Sequence, residues 1–391
     1  MRAHWMLDPE IVFLNHGSFG ACPRVVLEQQ QRWRERMERE PVRFFVRELE
    51  ALVDAARTRL SHFVRADPAD LVFVVNATHA VNAVLRSLDL KAGDELLVTD
   101  HEYNACRNAM DFAAARAGAR VVVAGIPFPL REAGQVAEAV LARVTRHTRL
   151  ALLDHVTSQT GLVLPVSELV AALAERGVDC LVDGAHALGM LELDLPAIGA
   201  AYYTANCHKW LCAPKSAALL WARRDRQPAL RPLCISHGAS SARRDRSRFQ
   251  LEFDWEGTRD PSPALCVPAA IDFVESLLPG GFPALARRNR QLVLEARRLL
   301  CARMGTGSPC PDEMVGSLAS LPLPDGSDAP PVSALYTDAL QDRLLERGIE
   351  VPVIPWPAPP RRLLRISAQA YNRLEDYVRL ADALEELLPA A

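Results

Sequence analysis

Short apolar runs alternate with amphipathic stretches between about residue 70 and residue 222. Each run is short enough to form one buried strand, and the stretches between the runs carry apolar residues at helical spacing. This alternation predicts a mainly parallel sheet covered by helices. The runs are LVFVV, DELLVTD, ARVVVAG, LALLDHV, DCLVDGA, AAYYTAN and AALLWAR.

One covering helix and a second structural unit can also be read from the pattern. The segment SELVAALAERG begins with a capping Ser167, keeps apolar residues at helical spacing and ends on Gly177. Residues 223–262 are irregular, and 264–303 are helical with Pro and Gly interruptions. Beyond PLPDGSDAPP, a small α+β unit is predicted from VSALYTDALQDRLLERGIEV, LLRISAQ and NRLEDYVRLADALEEL.

Length and charge narrow the class of protein. A chain of 391 residues is too long for one ordinary core, so we expect a large α/β domain and a smaller one, changing near residue 265. The net charge of −3 gives no indication of a basic surface that would bind a nucleic acid or an anionic membrane. Because no signal-peptide core and no run of about eighteen apolar residues occurs, we expect a cytoplasmic enzyme.

Cysteine and lysine usage bear on the chemistry. The nine cysteines are scattered without a CxxC pair, which predicts reduced thiols and no metal site. The 45 basic residues include only three lysines, Lys91, Lys209 and Lys215. A desolvated lysine can lose its proton and form a Schiff base, whereas a guanidinium cannot. Lys209, in TANCHKWLCAPKSAALL, is therefore a candidate nucleophile, although an Arg-rich genomic composition would also leave few lysines.

Polar residues follow the predicted strands, where ligands collect in α/β sheets. After LVFVV, Ala77, Thr78 and His79 open a helix whose N–H groups and hydroxyl could hold a phosphate, although an ordinary capped helix looks the same. In CLVDGAHALG, Asp183 ends a run and His186 follows it. A buried carboxylate needs a cation, and the protonated ring nitrogen of pyridoxal 5'-phosphate (PLP) is one. A capping Asp and a core His would give the same letters.

Two further runs supply an amine and a guanidinium. CHKWLCAPK places His208 beside Lys209, and Asn206 is near enough to contact a phosphate. LLRISAQAYN places Arg365 in an otherwise apolar run, where it is suited to a bidentate grip on an α-carboxylate. An Arg at this position could equally pair with a structural acid.

Together these motifs resemble fold-type I PLP enzymes of the class V aminotransferase family, within its isopenicillin N epimerase-like branch. The resemblance implies an N-terminal segment at 1–20 that contributes to the site, a large PLP-binding domain at 21–264 with a mainly parallel seven-stranded sheet, and a small α+β domain at 265–391. The matching stretches are FLNHGSFGACP, NATHAVNAVL, TDHEYNACRNA, DHVTSQTG, VDGAHALG, NCHKWLCAPK, WEGTRD and RISAQAYN.

The resemblance also implies roles for individual residues. Lys209 matches the lysine that forms the internal aldimine and shuttles the Cα proton, Asp183 the acid paired with the pyridine nitrogen, and His186 a contact to the ring's phenolic oxygen. Thr258 resembles a threonine that reaches the phosphate of the neighbouring subunit's cofactor, which implies a homodimer. The implied cofactor-binding set is Ala77, Thr78, His79, His101, Ser158, Asp183, His186, Asn206, His208, Lys209 and Thr258.

Other matched positions lie on the substrate side. His101 takes the place of a residue that stacks on the PLP ring, and Tyr103 aligns with a possible catalytic acid, so both are candidates beside Lys209. Ser158 stands where several relatives have Asn. The implied substrate-binding residues are Asn15, His16 and Arg365.

The resemblance implies chemistry at Cα of an amino acid through an external aldimine, and the first expectation is epimerisation. Elimination by a C–S lyase and transamination stay open, as does a catalytically silent PLP-fold binding protein. Retention of Lys209, Asp183 and Arg365 argues against the silent protein. A cysteine desulfurase is disfavoured, because no cysteine follows Cys310 to accept sulfur.

Overall fold

The structure, a computed structural model, describes residues 1–327 and 338–388. The strands are β1 (Val12–Phe13), β2 (Leu71–Val74), β3 (Glu95–Thr99), β4 (Arg120–Ala124), β5 (Thr148–Asp154), β6 (Asp179–Asp183), β7 (Tyr202–Asn206), β8 (Ala218–Ala222), β9 (Leu318–Leu323), β10 (Ile349–Glu350), β11 (Val353–Pro355) and β12 (Arg362–Ser367).

The α-helices lie between and after these strands, and one π-helix occupies Phe44–Glu48. The α-helices are α1 (His16–Phe19), α2 (Arg24–Arg39), α3 (Pro41–Arg43), α4 (Leu49–Phe63), α5 (Ala77–Ser87), α6 (Asn104–Ala117), α7 (Gly134–Leu141), α8 (Val166–Ala174), α9 (Leu195–Ile198), α10 (Arg248–Phe253), α11 (Ser262–Leu265), α12 (Val267–Ser276), α13 (Gly281–Arg303), α14 (Ala339–Glu346) and α15 (Leu374–Leu387).

The central sheet confirms the predicted architecture. Its strand order is β2-β8-β7-β6-β5-β3-β4, and each of the seven apolar runs supplies one strand. All neighbouring pairs are parallel except the two that involve β8, which runs antiparallel to β2 and β7. Every residue of β2, β3, β7 and β8 is buried, as expected for a sheet covered on both faces.

A second, antiparallel sheet lies in the C-terminal part of the chain. Its order is β11-β12-β9, and β12 carries Arg365 opposite Ser320 of β9. Strand β1 pairs in parallel with β10, so the N-terminal segment is attached to the C-terminal unit. The predicted α+β character is confirmed. Residues 332–337, which begin the stretch VSALYTDALQDRLLERGIEV, lie outside the described residues. The domain boundaries at 20 and 264 stay predictions.

The start of α8 and the presence of α10 differ from the sequence-based expectation. Helix α8 begins one residue earlier than predicted, after Pro165, and makes no side-chain cap hydrogen bond, so the capping role of Ser167 is wrong. Gly177 follows the helix with a φ of +71°, the left-handed conformation expected of a terminating glycine. The stretch predicted as irregular contains α10, whose first turn is capped by Ser247.

Residues 264–303 fold into separate helices because Gly280 and Gly281 adopt positive φ between α12 and α13. Among the described residues, no single helix is long and apolar enough to cross a membrane. Ser262–Ser276 and Gly281–Arg303 meet that test only as a pair bent by 68°.

Candidate active site

Polar side chains from several elements meet beyond the carboxyl edge of the central sheet. Strands β5 and β6 end side by side on Asp154 and Asp183, which are paired in register. Strand β7 ends at Asn206, and the turn after it carries Lys209. Because parallel strands bring their carboxyl ends to one edge, residues distant in sequence share this site.

Lys209 contacts a histidine through its amine. Lys209 Nζ lies 3.0 Å from His186 Nε2, and the indole N–H of Trp210 donates to His186 Nδ1 at 3.2 Å. Because Nδ1 accepts a hydrogen bond, the proton of the neutral imidazole sits on Nε2 and points at the lysine. That arrangement suits a neutral amine, which accepts the hydrogen bond. Burial first, and then Arg365, lower the pKa of Lys209 to about 8.

Asp183 is a buried carboxylate held by two hydrogen-bond donors. Its Oδ1 accepts from the Ala185 N–H at 2.8 Å, and its Oδ2 accepts from the Cys106 thiol at 3.3 Å. Burial raises the pKa of Asp183, against the opposing effect of these donors and of Lys209. Among the residues described, Asp183 forms no ion pair. A protonated pyridine nitrogen would supply the missing cation, so the site fits PLP.

The first turn of α5 lies beside the lysine turn. The Ala77 N–H donates to Asn206 Oδ1 at 2.9 Å, and the His79 N–H donates to Asn76 Oδ1 at 2.8 Å. The predicted free N–H groups of Ala77 and His79 are therefore occupied by side chains, which leaves Thr78 with its N–H and hydroxyl at the helix start. This end of the helix still presents its positive dipole to a phosphate.

Three other predicted phosphate-side residues occupy different settings. His208 donates from Nδ1 to the Ala217 carbonyl at 3.1 Å, and burial lowers its pKa to about 4. A bound phosphate would favour the protonated ring and so oppose that shift. The His79 ring instead faces Glu256, with Nε2 3.3 Å from Oε2. Thr258 is exposed on the loop that follows Glu256, as a cross-subunit contact would require.

Arg365 is a buried cation whose hydrogen bonds go to neutral oxygens. It is 4% exposed. Its NH1 donates to the Ser158 carbonyl at 2.6 Å, and its NH2 donates to Ser18 Oγ at 3.0 Å, with Asn15 Oδ1 at 3.4 Å. Burial lowers the pKa of Arg365 to about 10. Within the described part of the chain it has no carboxylate partner, so the structural-acid alternative is not supported and an incoming carboxylate fits.

The N-terminal segment lies against the lysine turn. His16 Nε2 is 3.0 Å from the Lys209 carbonyl and Nδ1 is 2.8 Å from the Tyr371 hydroxyl, so both ring nitrogens are engaged by the protein. Gly20 follows with a φ of +68°, and a Cβ there would lie 2.1 Å from the His208 carbonyl oxygen. These contacts give His16 a holding role and do not support its predicted contact with substrate. Asn15, which faces Arg365, stays a candidate.

His101 and Tyr103 are placed differently although they are close in sequence. His101 is fully buried, with Nδ1 2.8 Å from Thr160 Oγ1 and Nε2 3.2 Å from the Ile126 carbonyl. Its ring packs edge-on against Trp356 at 4.6 Å. None of its hydrogen bonds in the described structure reaches Lys209, and stacking of His101 on the PLP ring stays a prediction.

Tyr103 has better access to the site. Its side chain is 38% exposed, and its phenol lies close enough to Asp183 and Arg365 to feel both charges. Burial, then Cys106 and Asp183, raise the pKa of Tyr103, so its hydroxyl stays protonated. Of the two candidates, Tyr103 is the one positioned as an acid.

Sequence reasoning missed Glu102, Cys106 and Asp154, which surround Asp183. Asp154 could have been found, because it ends the apolar run LALLD just as Asp183 ends CLVD. Glu102 lies in the turn before α6, and Cys106 lies in the first turn of that helix. No periodic pattern indicates which side chains of such a turn face inward.

Comparison with known proteins places this geometry among characterised relatives. Residues 12–322 match the family described as aminotransferase class V. The sequence is 37% identical over 399 residues to an isopenicillin N epimerase of Streptomyces clavuligerus, which covers 99% of this chain and 97% of that protein. It is 33% identical over 405 residues to a probable chloroplastic L-cysteine desulfhydrase of Arabidopsis thaliana, which covers 97% of this chain and 84% of the relative.

Solved structures share the fold. The cystine C–S lyase C-DES, in complex with its reaction product cysteine persulfide, has a TM-score of 0.78 at 22% identity over 97% of this chain and 99% of that one. A C-DES variant with glycine linked to its PLP cofactor also has a TM-score of 0.78 at 22% identity, over 96% of each chain. The PLP fold type predicted from the sequence is thereby confirmed.

Proposed function

The chain belongs to the class V aminotransferase family and is a PLP-dependent enzyme, and we propose that it epimerises an amino acid at Cα. When bound, PLP supplies an electron sink that stabilises negative charge at Cα. The observation that carries the proposal is the pairing of a readily deprotonated Lys209 with a buried Arg365 that has no carboxylate partner among the described residues. The similarity to isopenicillin N epimerases supports the same reaction class.

Lys209 is the base in this proposal. Because its pKa is lowered to about 8, a larger fraction of Nζ is neutral near physiological pH than in an ordinary lysine, so it can hold the cofactor and then accept the Cα proton. The Nε2–H of His186 fixes the direction of the amine lone pair. Trp210 fixes the His186 tautomer in turn, so the orientation of the base is built into the residues next to it.

Arg365 orients the substrate. A carboxylate at its guanidinium would replace weak contacts to Ser18 and Asn15 with a charge-assisted, bidentate one. Because Arg365 lies on β12 and Lys209 follows β7, a substrate held between them is fixed at both ends. Such fixation directs the Cα–H bond toward one base.

Tyr103 is the proposed second proton carrier. Its raised pKa keeps a proton on the phenol, and its position near Asp183 and Arg365 places that proton beside the bound substrate. If Lys209 removes a proton from one face and Tyr103 returns one to the other, the centre is inverted.

Elimination by a C–S lyase is the second candidate function. The 33% identity to L-cysteine desulfhydrases favours it specifically. Lys209 and Arg365 would act as above, and Tyr103 would give its proton to a leaving sulfur instead of to Cα. Elimination also breaks the Cβ–S bond, and hydrolysis of the unsaturated product gives pyruvate and ammonia, whereas epimerisation breaks and remakes only the Cα–H bond.

Incubation of amino acids in deuterated water distinguishes the candidates. Deuterium at Cα with inverted configuration is expected for the epimerase. Pyruvate, ammonia and a sulfur product would establish the lyase, and an oxo acid with aminated cofactor would establish an aminotransferase. Absence of Cα exchange across a broad amino-acid panel, with PLP bound, would contradict all three and favour the silent binding protein.

We also propose that the enzyme is a homodimer in which Thr258 contacts the partner's phosphate. Thr258 is exposed, and the adjoining residues Trp255, Gly257 and Arg259 line a cavity of about 600 Å³ that also reaches Lys215. In the proposed dimer, this cavity would lie at the interface with the second copy. The amino-acid substrate is the small-molecule partner.

A further inference from the structure

We propose that Glu102 is a protonated acid that shares its proton with Asp154 and thereby keeps Asp183 as the anion facing the pyridine nitrogen. The proposal concerns the cofactor site of the function proposed above, and Glu102 acts in it as a positioning residue. It rests on a count of hydrogen-bond donors around three buried carboxyl groups.

The three carboxyl groups come from different elements and converge. Asp154 and Asp183 are register partners at the ends of β5 and β6, and Glu102 approaches from the turn before α6. One ligand-capable atom each of Glu102, Cys106 and Asp183 lie within 4.8 Å of one another. Glu102 is 6% exposed, Asp154 3% and Asp183 2%, so all three carboxyl groups are withdrawn from bulk solvent.

The donors in this cluster are too few for three anions. Asp183 takes both that are well placed, the Ala185 N–H and the Cys106 thiol. Both oxygens of Glu102 and Oδ2 of Asp154 are buried without a donor at normal hydrogen-bond geometry in the described structure. The Glu102 and Asp154 side chains nevertheless face each other, and each changes the pKa of the other. Two buried carboxyl groups that face each other without other donors are stabilised when one of them keeps its proton and the other accepts it.

The charges around the three carboxyl groups also favour a protonated Glu102. Burial and then Asp154 and Asp183 raise the pKa of Glu102 well above its usual range, whereas the Tyr103 N–H is only a minor opposing contribution. Burial and Asp183 also raise the pKa of Asp154. Lys209 faces the cluster, but its amine becomes neutral with a pKa of about 8 and is taken up by the cofactor.

The remaining described neighbours of the three carboxyl groups do not supply a cation. Tyr203, on β7, lies close to Asp183, and its phenol stays protonated because burial and Asp183 raise its pKa. Its hydroxyl bonds His155 Nδ1 at 2.8 Å, and burial lowers the pKa of His155 to about 4, which keeps that ring neutral. The shared proton on Glu102 is thus the group that offsets the excess negative charge.

The protonation of Glu102 affects how strongly Asp183 would pair with the cofactor. With Glu102 protonated, Asp154 is satisfied and does not compete with Asp183 for a proton. Without Glu102, Asp154 and Asp183 would share a proton, and Asp183 would pair less strongly with the pyridine nitrogen. A ring with less positive charge withdraws less electron density from the lysine nitrogen.

Two substitutions test whether the Glu102 side chain is neutral or charged. Glu102→Gln keeps the shape and a donor toward Asp154 and removes only the ability to ionise, whereas Glu102→Leu removes the donor. PLP affinity and the pH midpoint of the cofactor's visible band are measured without any substrate. We expect E102Q to stay within about threefold of the wild-type PLP Kd with an unchanged midpoint, and E102L to weaken PLP binding by on the order of tenfold or more and raise the midpoint.

Infrared spectroscopy of the apoenzyme tests the proton directly. The C=O band of a protonated carboxylic acid should be present in the wild type and lost in E102Q. Absence of that band from the wild type, an E102Q effect as large as that of E102L, or a stoichiometric metal ion lost in E102Q would overturn the proposal. Because none of these measurements uses turnover, they are independent of whether the reaction is epimerisation. Should E102L not fold, the E102Q and infrared results decide alone.

Discussion

At the scale of single residues, the site is built from charged groups in surroundings that disfavour their charge. Burial lowers the pKa of both Lys209 and Arg365, and in each case the side chain keeps only neutral hydrogen-bond partners. Such groups gain most when an oppositely charged or covalent partner arrives. The first three predictions concern these residues.

Lys209 is expected to be the residue that carries the cofactor. Borohydride reduction of the holoenzyme should fix PLP to the peptide that contains Lys209. Lys209→Arg should abolish this labelling, because a guanidinium cannot replace the amine. Lys91→Arg, at an exposed position, is the matched control and should leave labelling unchanged. Recovery of the label on Lys215 or Lys91 would contradict the assignment.

Capture of PLP by the apoenzyme should depend on pH through the Lys209 amine. Only the neutral amine attacks the aldehyde, and its fraction rises with pH, so the capture rate should increase with a midpoint near the folded-state value of about 8 and level off above it. Stopped-flow absorbance measures the rate. A midpoint near the ordinary lysine value of 10.5 would show that the amine is not perturbed.

Arg365→Ala should impair substrate binding and leave PLP binding intact. Loss of a buried charge-assisted contact is expected to lower kcat/KM by about 2–5 kcal/mol of transition-state stabilisation. Arg362→Ala is the control, because Arg362 lies on the same strand and its guanidinium already donates to Asp338 at 2.8 Å. A variant that loses PLP but turns over normally once reconstituted would rule out the proposed role.

At the scale of elements, the site depends on the N-terminal segment pressed against the lysine turn. Contacts of His16 and Gly20 reach the backbone of Lys209 and His208, and Lys215 Nζ donates to the Gly20 carbonyl at 3.0 Å. This short segment therefore supports the catalytic turn from one side.

Gly20→Ala is expected to destabilise this contact. A methyl group would meet the His208 carbonyl oxygen at 2.1 Å, in addition to a backbone penalty of roughly 1–3 kcal/mol for alanine at a φ of 68° and a ψ of 166°, a conformation essentially confined to glycine. Gly93→Ala is the matched control, with a φ of +88° and nothing within 4 Å of the added Cβ. The thermal unfolding temperature and the amount of PLP retained should both be lower in Gly20→Ala than in Gly93→Ala. Equal effects in the two variants would mean that the close contact is unimportant.

The elements themselves were predictable to different degrees. Seven strands could be predicted because a strand buried on both faces of the sheet leaves a short apolar run, as the parallel strand β3 and the antiparallel strand β8 both do. The start of α8 could not, because Pro165 rather than a polar cap precedes it. The pairing of β1 with β10 left no local pattern, since two-residue strands have no periodicity to read.

The same distinction holds for the site. Lys209 and Asp183 follow strands and carry chemistry, so position and residue type identified them together. The different settings of His101, Glu102 and Tyr103 depend on the path of one turn. Three consecutive residues of that turn face different surroundings, which sequence spacing cannot resolve.

At the scale of the whole molecule, the proposed dimer would make each site depend on two chains. If Thr258 acts on the partner's cofactor, mixing Lys209→Ala chains with Thr258→Asp chains should regenerate one intact site per heterodimer. PLP affinity and activity should reappear in the mixture although each parent lacks them. If no recovery follows verified subunit exchange, Thr258 does not act across the interface. The cytoplasmic location stays a prediction.

The scarcity of lysine gives this chain a built-in set of reporters. Lys91 lies exposed before β3, at the edge of the sheet opposite the site, and should react with an acylating reagent in every state. Lys209 should be shielded only when the cofactor is attached, and Lys215, on the wall of the large cavity, only when a second copy covers it. Three peptides in one mass spectrum would thus report labelling efficiency, cofactor loading and assembly separately, without introducing a probe.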